Sequence, residues 1–257
     1  MSKEISIKEF LSSRTNTPIV DVRSPKEYQL AHIPGAINIP LFNDAERAMV
    51  GTTYKHEGRE KAITQGLELV GPKMAEFVAE GKRILHEHQA AYITMHCWRG
   101  GMRSKSMATL FNFAGIPTLT ITGGYKVYRN AVQQSFANPL HLIVLGGKTG
   151  SAKTAILQAL QQQGEQIIDL EKLANHKGSA FGQLGEDPQP SSEYFENLLF
   201  EKIQQLDSTK RIWIEDESHL IGKVFIPETF WEQMRNAQVI YCDFPIEERI
   251  NYLVTTY

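Results

Sequence analysis

Short apolar runs alternate with longer mixed segments along the 257-residue chain. The runs are bounded by Gly, Pro, Asp or Ser, a pattern typical of buried β-strands, and the segments between them read as helices. Strands that alternate with helices predict an α/β fold, with parallel sheets covered by helices on both faces. The predicted strands are residues 18–23, a short strand within 32–40, 92–96 and 118–121, followed by 141–145, 167–170, 211–215 and 237–241.

The pattern predicts two domains. Asn138 and Pro139 interrupt the alternation, which divides the chain into residues 1–137 and 138–257. Each part is long enough to bury a core without disulfides or metals. A last helix is predicted from Ile246 to the end of the chain, where no C-cap signal follows it.

Charge is distributed unevenly, although the net charge is only −2. Residues 1–138 carry 17 Lys and Arg against 12 Asp and Glu, whereas residues 139–257 carry 10 against 17. No acidic residue lies between Glu87 and Glu165, which favours anion binding in that stretch. The only cysteines are Cys97 and Cys242, so we expect no disulfide framework and a reducing, cytoplasmic location. No apolar run reaches membrane-spanning length, and we expect no membrane partner.

The acid-free stretch contains a candidate nucleophile, Cys97. A predicted strand leads into it, and Gly100 and Gly101 let the following backbone curl so that amide groups converge. A helix predicted from residue 104 adds its N-terminus, which favours the thiolate. Arg99 and Arg103 are candidate catalytic partners that would hold an oxyanion. The Cys-x5-Arg spacing leaves phosphatase chemistry and sulfur or selenium transfer both open.

A second loop in the same stretch has the G-x-x-x-x-G-K-[ST] pattern between a predicted strand and a helix. Such a loop binds phosphates through its amides and its lysine. Ala152 replaces the second glycine of the pattern, which is tolerable at negative φ and crowded at positive φ. Thr154 and Asp216, at the end of an acidic strand, are the predicted metal ligands, with Mg²⁺ as the expected ion. Glu217 and Glu215 beside Asp216 are alternative ligands. The predicted phosphate-binding residues are Gly147, Gly150, Ser151, Ala152, Lys153 and Thr154.

Longer strings of residues resemble a known family. Asp21-Val22-Arg23, the segment 32–38, the Cys97 loop and Gly123-Gly124-Tyr125 resemble a rhodanese domain. The rhodanese-like part is followed by the phosphate loop, and further strings of residues accompany both. In this combination the chain resembles the bacterial tRNA 2-selenouridine synthases. The further strings are Asp44-Ala45-Glu46-Arg47-Ala48, Asp169-Leu170-Glu171 and Glu215-Asp216-Glu217-Ser218.

The resemblance implies a rhodanese-like domain followed by a P-loop NTPase-like α/β domain, without the further helical segment of that family. It implies a transferase that converts wobble 2-thiouridine of tRNA to 2-selenouridine. The P-loop domain would S-geranylate the base with geranyl diphosphate, and selenium from selenophosphate would then replace sulfur through Cys97. The alternative is a rhodanese-fold Cys-x5-Arg phosphatase or sulfurtransferase with an accessory nucleotide-binding domain.

The implied partners are the anticodon arm of tRNA and a selenophosphate synthase that supplies selenium, with no DNA and no tightly bound organic cofactor. Trp98 is expected to stack on the exposed base, because aromatic side chains bind unpaired RNA bases in this way. Lys126 and Arg129 are expected to form a basic face for the RNA backbone.

Overall fold

A computed structural model of the chain describes residues 3–13, 17–179 and 182–256. It divides into two compact units, Met1–Ala131 and Val132–Tyr257. The boundary lies six residues before the predicted one, because Phe136 packs within the second unit. Its ring meets Phe230 with 6.2 Å between centroids, and its carbonyl accepts a hydrogen bond from Gln233.

The first unit contains a five-stranded sheet, in which all pairs are parallel and the order is β1-β5-β4-β2-β3. The predicted strands are present; β1 is an addition that its two exposed charged residues concealed. The elements are β1 (Lys3–Ile5), α1 (Ile7–Ser12), β2 (Ile19–Asp21), α2 (Pro25–Leu30), β3 (Ile37–Asn38), α3 (Asp44–His56), α4 (Arg59–Val70), a 3₁₀ turn (Gly71–Lys73), α5 (Met74–Glu87), β4 (Ile93–His96), α6 (Met102–Phe113), β5 (Thr118–Ile121) and α7 (Gly124–Ser135).

Local capping explains where two helices of this unit begin. Ser24 precedes Pro25, and the Glu27 side chain accepts from the Ser24 amide, which completes a capping box at α2. Asn43 and Glu46 form the same motif at α3. Glu46 also binds Lys73 at 2.7 Å, which fixes α3 to the segment that follows α4.

The second unit contains a four-stranded parallel sheet of order β11-β6-β8-β7 and a small antiparallel hairpin. Both sheets therefore confirm the predicted α/β class. None of the described helices is long and apolar enough to cross a membrane. The elements are β6 (Leu142–Gly147), α8 (Lys153–Gln162), β7 (Gln166–Ile168), α9 (Leu170–Ala174), α10 (Ser192–Gln204), β8 (Ile212–Glu215), β9 (Leu220–Ile221), β10 (Val224–Phe225), α11 (Glu228–Asn236), β11 (Gln238–Cys242) and α12 (Ile246–Thr256); Tyr257 lies outside the described residues.

Candidate active sites

Cys97 lies at the carboxyl end of β4, the central strand of the first sheet. Its side chain is buried at 3% exposure. Ser104, in the first turn of α6, donates from its hydroxyl to the Cys97 sulfur at 3.3 Å. A hydrogen bond to sulfur at a helix N-terminus stabilises negative charge there. The structure thus places the thiol where the sequence predicts a nucleophile, with a hydroxyl partner that the motif did not reveal.

The loop 97–101, called here the thiol loop, packs backbone to backbone against the start of α7. Tyr125 and Lys126 donate their amides to the carbonyls of Cys97 and Trp98, each at 2.9 Å. The approach requires glycine: at Gly124, with φ of 61°, a Cβ would lie 2.3 Å from the Cys97 carbonyl oxygen. The N-terminal amides of α7 are therefore used to hold the loop that carries the thiol.

Arg103 does not extend toward the thiol as the sequence predicted. Its guanidinium binds both carboxylate oxygens of Glu27, at 2.6 and 3.2 Å, and its side chain is 16% exposed. Burial opposes the charge on Glu27, but Arg103 holds the pKa of that carboxyl below its ordinary value. A phosphatase needs this arginine free for phosphate, so the ion pair does not favour the phosphatase alternative. Arg99, in the thiol loop itself, is exposed.

A buried charge network lies beside Cys97 in the sheet. Arg23, at 1% exposure, binds Asp21 on neighbouring β2 through Nε and one terminal nitrogen at 2.6–3.0 Å. Burial raises the pKa of Asp21, but His96 and Arg23 together lower it below its ordinary value. Burial also lowers the pKa of His96, which directly precedes Cys97. The Arg23 guanidinium lies 3.8 Å from the Tyr125 ring, so the network supports α7 as well.

The phosphate loop, residues 147–154, joins β6 to α8 and borders a cavity of about 300 Å³. The Lys153 ammonium donates to the Gly147 carbonyl at 3.2 Å, across the mouth of the loop. Ala152 has φ of 56° and ψ of 28°, the left-handed conformation that crowds any residue with a Cβ. Ser151 has a buried hydroxyl without a hydrogen-bond partner in the described part of the chain, which leaves it available to an anion in the loop.

Two carboxyl groups, Glu171 and Glu217, line the same cavity as Lys153 and Thr154. Thr154 donates to Glu171 at 3.0 Å, and the two carboxyl groups share a hydrogen bond. Burial and the charge of Glu171 raise the pKa of Glu217 to about 7, and burial raises the pKa of Glu171. Gly178 packs on this carboxylate pair, since a Cβ there would come within 2.5–2.8 Å of both groups.

The cavity is lined by the carboxylate pair, not by Asp216, the metal ligand that the sequence predicted. Asp216 forms an ion pair with Arg235 of α11, and it does not line the cavity. Glu215 and Glu217 both contact Glu171 of α9, whereas Asp216 contacts Arg235 of α11, so the three acidic side chains alternate in direction along the end of β8. Glu215 is fully buried, where it accepts from the Glu171 amide at 2.9 Å. The sequence left Asp216 and Glu217 open, and the structure favours Glu217.

Two family models together match almost the whole chain. Residues 6–131 match the rhodanese-like domain, and residues 140–257 match the tRNA 2-selenouridine synthase AAA domain. A tRNA 2-selenouridine synthase of Nitrosomonas europaea is 38% identical over 253 residues, covering 94% of this chain and 65% of that protein. The chain belongs to the tRNA 2-selenouridine synthase family.

A second tRNA 2-selenouridine synthase agrees with this assignment. A tRNA 2-selenouridine synthase of Bdellovibrio bacteriovorus is 40% identical over 250 residues, which cover 94% of this chain and 65% of the relative. The chain thus spans about two thirds of the length of these tRNA 2-selenouridine synthases. Among solved structures, the N-terminal domain of a Clostridium difficile 630 protein described as ATP/GTP-binding is 36% identical, with a TM-score of 0.48 over 51% of this chain and 98% of that one.

The residues expected to bind RNA in a tRNA 2-selenouridine synthase divide into exposed and buried ones. Trp98 is 38% exposed and leans on Tyr125 with 5.7 Å between centroids, and Lys126 is exposed. Arg129 is only 8% exposed, because it lies one turn beyond Tyr125 on the buried face of α7. The predicted basic face therefore reduces to Lys126, with Arg99 and Trp98 exposed on the thiol loop.

Proposed function

We propose that the chain converts 2-thiouridine of tRNA to 2-selenouridine in two steps, S-geranylation in the second unit and selenation in the first. The observation that carries this is a pair of separate anion sites, the phosphate loop with its carboxylate pair and the thiol loop with its exposed Arg99. The names of the relatives support the overall reaction.

In the first step the sulfur of 2-thiouridine would attack the carbon of geranyl diphosphate that bears the diphosphate group. A carbon–sulfur bond forms, the carbon–oxygen bond to diphosphate breaks, and the base loses its ring N–H proton. The departing diphosphate gains negative charge, which Lys153 and the loop amides would stabilise. The cavity of about 300 Å³ at the phosphate loop is where this group would lie.

The same cavity fits a divalent cation. Thr154, Glu171 and Glu217 offer only oxygen atoms, the ligands that Mg²⁺ prefers. The two carboxyl groups share a hydrogen bond and have raised pKa values, so a cation bound between them would stabilise their charged forms. We assign these three residues as the Mg²⁺ ligands. The ion would neutralise charge that develops on the diphosphate.

In the second step the Cys97 thiolate would take the phosphoryl group of selenophosphate, and the hydrogen selenide released would attack the base carbon that bears the geranylated sulfur. The carbon–selenium bond forms, geranylthiol leaves, and water takes the phosphoryl group as phosphate. Selenium keeps its oxidation state, so no redox partner is needed. Alkylation makes the sulfur a better leaving group, which explains why the steps belong together. A selenophosphate synthase would be the supplier, and the location would be cytoplasmic.

RNA would bind mainly at the first unit, with Trp98 stacking on the exposed base and with Arg99 and Lys126 facing phosphates.

The geranyl step is tested with 2-thiouridine tRNA, geranyl diphosphate and Mg²⁺, followed by nucleoside mass spectrometry. We expect a gain of one geranyl group that is lost in Lys153→Ala and kept in Cys97→Ala. Lys148→Ala, a change of another lysine in the same loop, is the matched control. Absence of geranyl product with the unaltered chain would refute the geranyl step.

A further inference from the structure

An apolar cleft in the first unit lies beside the thiol loop. It has a volume of about 180 Å³ and lies between α3, α4 and the first turns of α6. Helix α6 carries both Ser104, which binds the Cys97 sulfur, and Met102 and Arg103, which line the cleft. The first turns of α6 therefore border both the cleft and the thiol.

Almost all of the cleft surface is hydrocarbon. Phe42 and Ala62 form buried parts of its wall, and Tyr54, Leu67 and Met102 stand at its rim with 48–67% of their area exposed. Large apolar side chains grouped at a concave surface are typical of a binding site. A cavity of about 150 Å³ lined by such residues already accepts benzene, so this cleft accommodates a short branched hydrocarbon chain.

Positive charge surrounds the same cleft. Arg59 and Arg103 line it, and Arg47 lies 3.8 Å from Glu27, the carboxylate that binds Arg103. Two guanidinium groups thus share one carboxylate, and Arg59 adds a third guanidinium at the cleft, which leaves an excess of positive charge. An occupant that complements both features combines an apolar chain with an anionic group.

We infer that the cleft binds the geranyl chain of the S-geranylated tRNA nucleotide during selenation, while the arginines face its phosphate. This inference rests on the proposed function, since the geranylated base is the intermediate of that reaction. A geranyl chain held in the cleft would place its sulfur atom, which leaves during selenation, next to the thiol loop. The helices α3 and α4 would then serve substrate recognition.

The test is titration calorimetry of the whole chain with S-geranyl-2-thiouridine 5′-monophosphate and with its S-methyl counterpart. Each fully buried methylene adds roughly fourfold to affinity, so the geranyl compound should bind at least tenfold more tightly. Leu67→Asp should remove most of that difference, because it places a carboxylate at the apolar rim. Ala62→Leu should do the same by filling the cleft. Leu30→Asp, at a similarly exposed leucine (61% against 67%) outside the cleft, should bind like the unaltered chain.

Several outcomes would overturn the inference. Equal affinity for the two compounds in the unaltered chain would do so, and so would a geranyl preference that survives both cleft variants. Light scattering that shows loss of self-association in Leu67→Asp, with unchanged geranyl binding, would assign the cleft to a second copy of the chain. Geranyl transfer to RNA by the second unit should be unchanged in Leu67→Asp. Its absence in the unaltered chain would refute the proposed function separately from the cleft.

Discussion

Replacing Ala152 by glycine is expected to stabilise the second unit. Ala152 is held at φ of 56° because its carbonyl accepts the Ile156 amide at 2.9 Å as α8 begins. The left-handed conformation costs a residue with a Cβ roughly 1–2 kcal/mol. Glycine would remove that cost but would add roughly 0.4–1 kcal/mol of unfolded-state entropy. The net gain in the free energy of unfolding is about 0.5–1 kcal/mol.

The matched control is Ala159→Gly in the middle of α8, where the backbone is helical. The same chemical change should there lower the free energy of unfolding by about 0.8–1.0 kcal/mol. Hydrogen exchange of the β6 and α8 amides, measured by mass spectrometry, reports the second unit alone. We expect slower exchange in Ala152→Gly and faster exchange in Ala159→Gly. Faster exchange in both would refute the claim that the phosphate loop is strained at residue 152.

Three further predictions concern the buried groups. Because the pKa of Glu217 is raised to about 7 in the folded state, the folded chain binds an extra proton between pH 4.5 and 7, and the free energy of unfolding should fall as pH rises through that window. Glu217→Gln should flatten the profile of urea midpoint against pH, and an unchanged slope would contradict the raised pKa. Arg23→Leu should cost about 3 kcal/mol or more in urea unfolding by leaving Asp21 buried without its guanidinium partner, and a loss under 1 kcal/mol would show that the pair is not essential. Gly124→Ala should destabilise the thiol loop, whereas Gly101→Ala, where a Cβ meets nothing within 4 Å, should be tolerated; thermal unfolding and thiol reactivity distinguish them, and equal behaviour would contradict the packing argument.

Local signals in the sequence were sufficient to predict both loops and the described strands other than β1, β9 and β10. The run before Cys97 and the run before the phosphate loop are buried strands at the centres of their sheets. Ser24-Pro25 predicted the start of α2 because capping depends on neighbouring residues. The hairpin of β9 and β10 was missed because each strand has two residues.

Interactions between distant residues could not be predicted in this way. Glu27 and Arg103 are separated by 76 positions, so nothing near Arg103 in sequence shows that its charge is neutralised. The carboxylate pair joins Glu171 of α9 to Glu217 after β8, and only the sheet order brings them together. Arg129 carries the charge of a surface residue, but the helix phase of α7 turns it inward.

The central claim is that the phosphate loop and the thiol loop catalyse consecutive steps on one base. It is tested most directly by giving RNA that already contains S-geranyl-2-thiouridine, with selenophosphate, to Lys153→Ala and to Cys97→Ala. Nucleoside mass spectrometry should show 2-selenouridine with Lys153→Ala, because the first step is already complete, and none with Cys97→Ala. Selenouridine formed by Cys97→Ala, or failure of Lys153→Ala where the unaltered chain succeeds, would contradict the account.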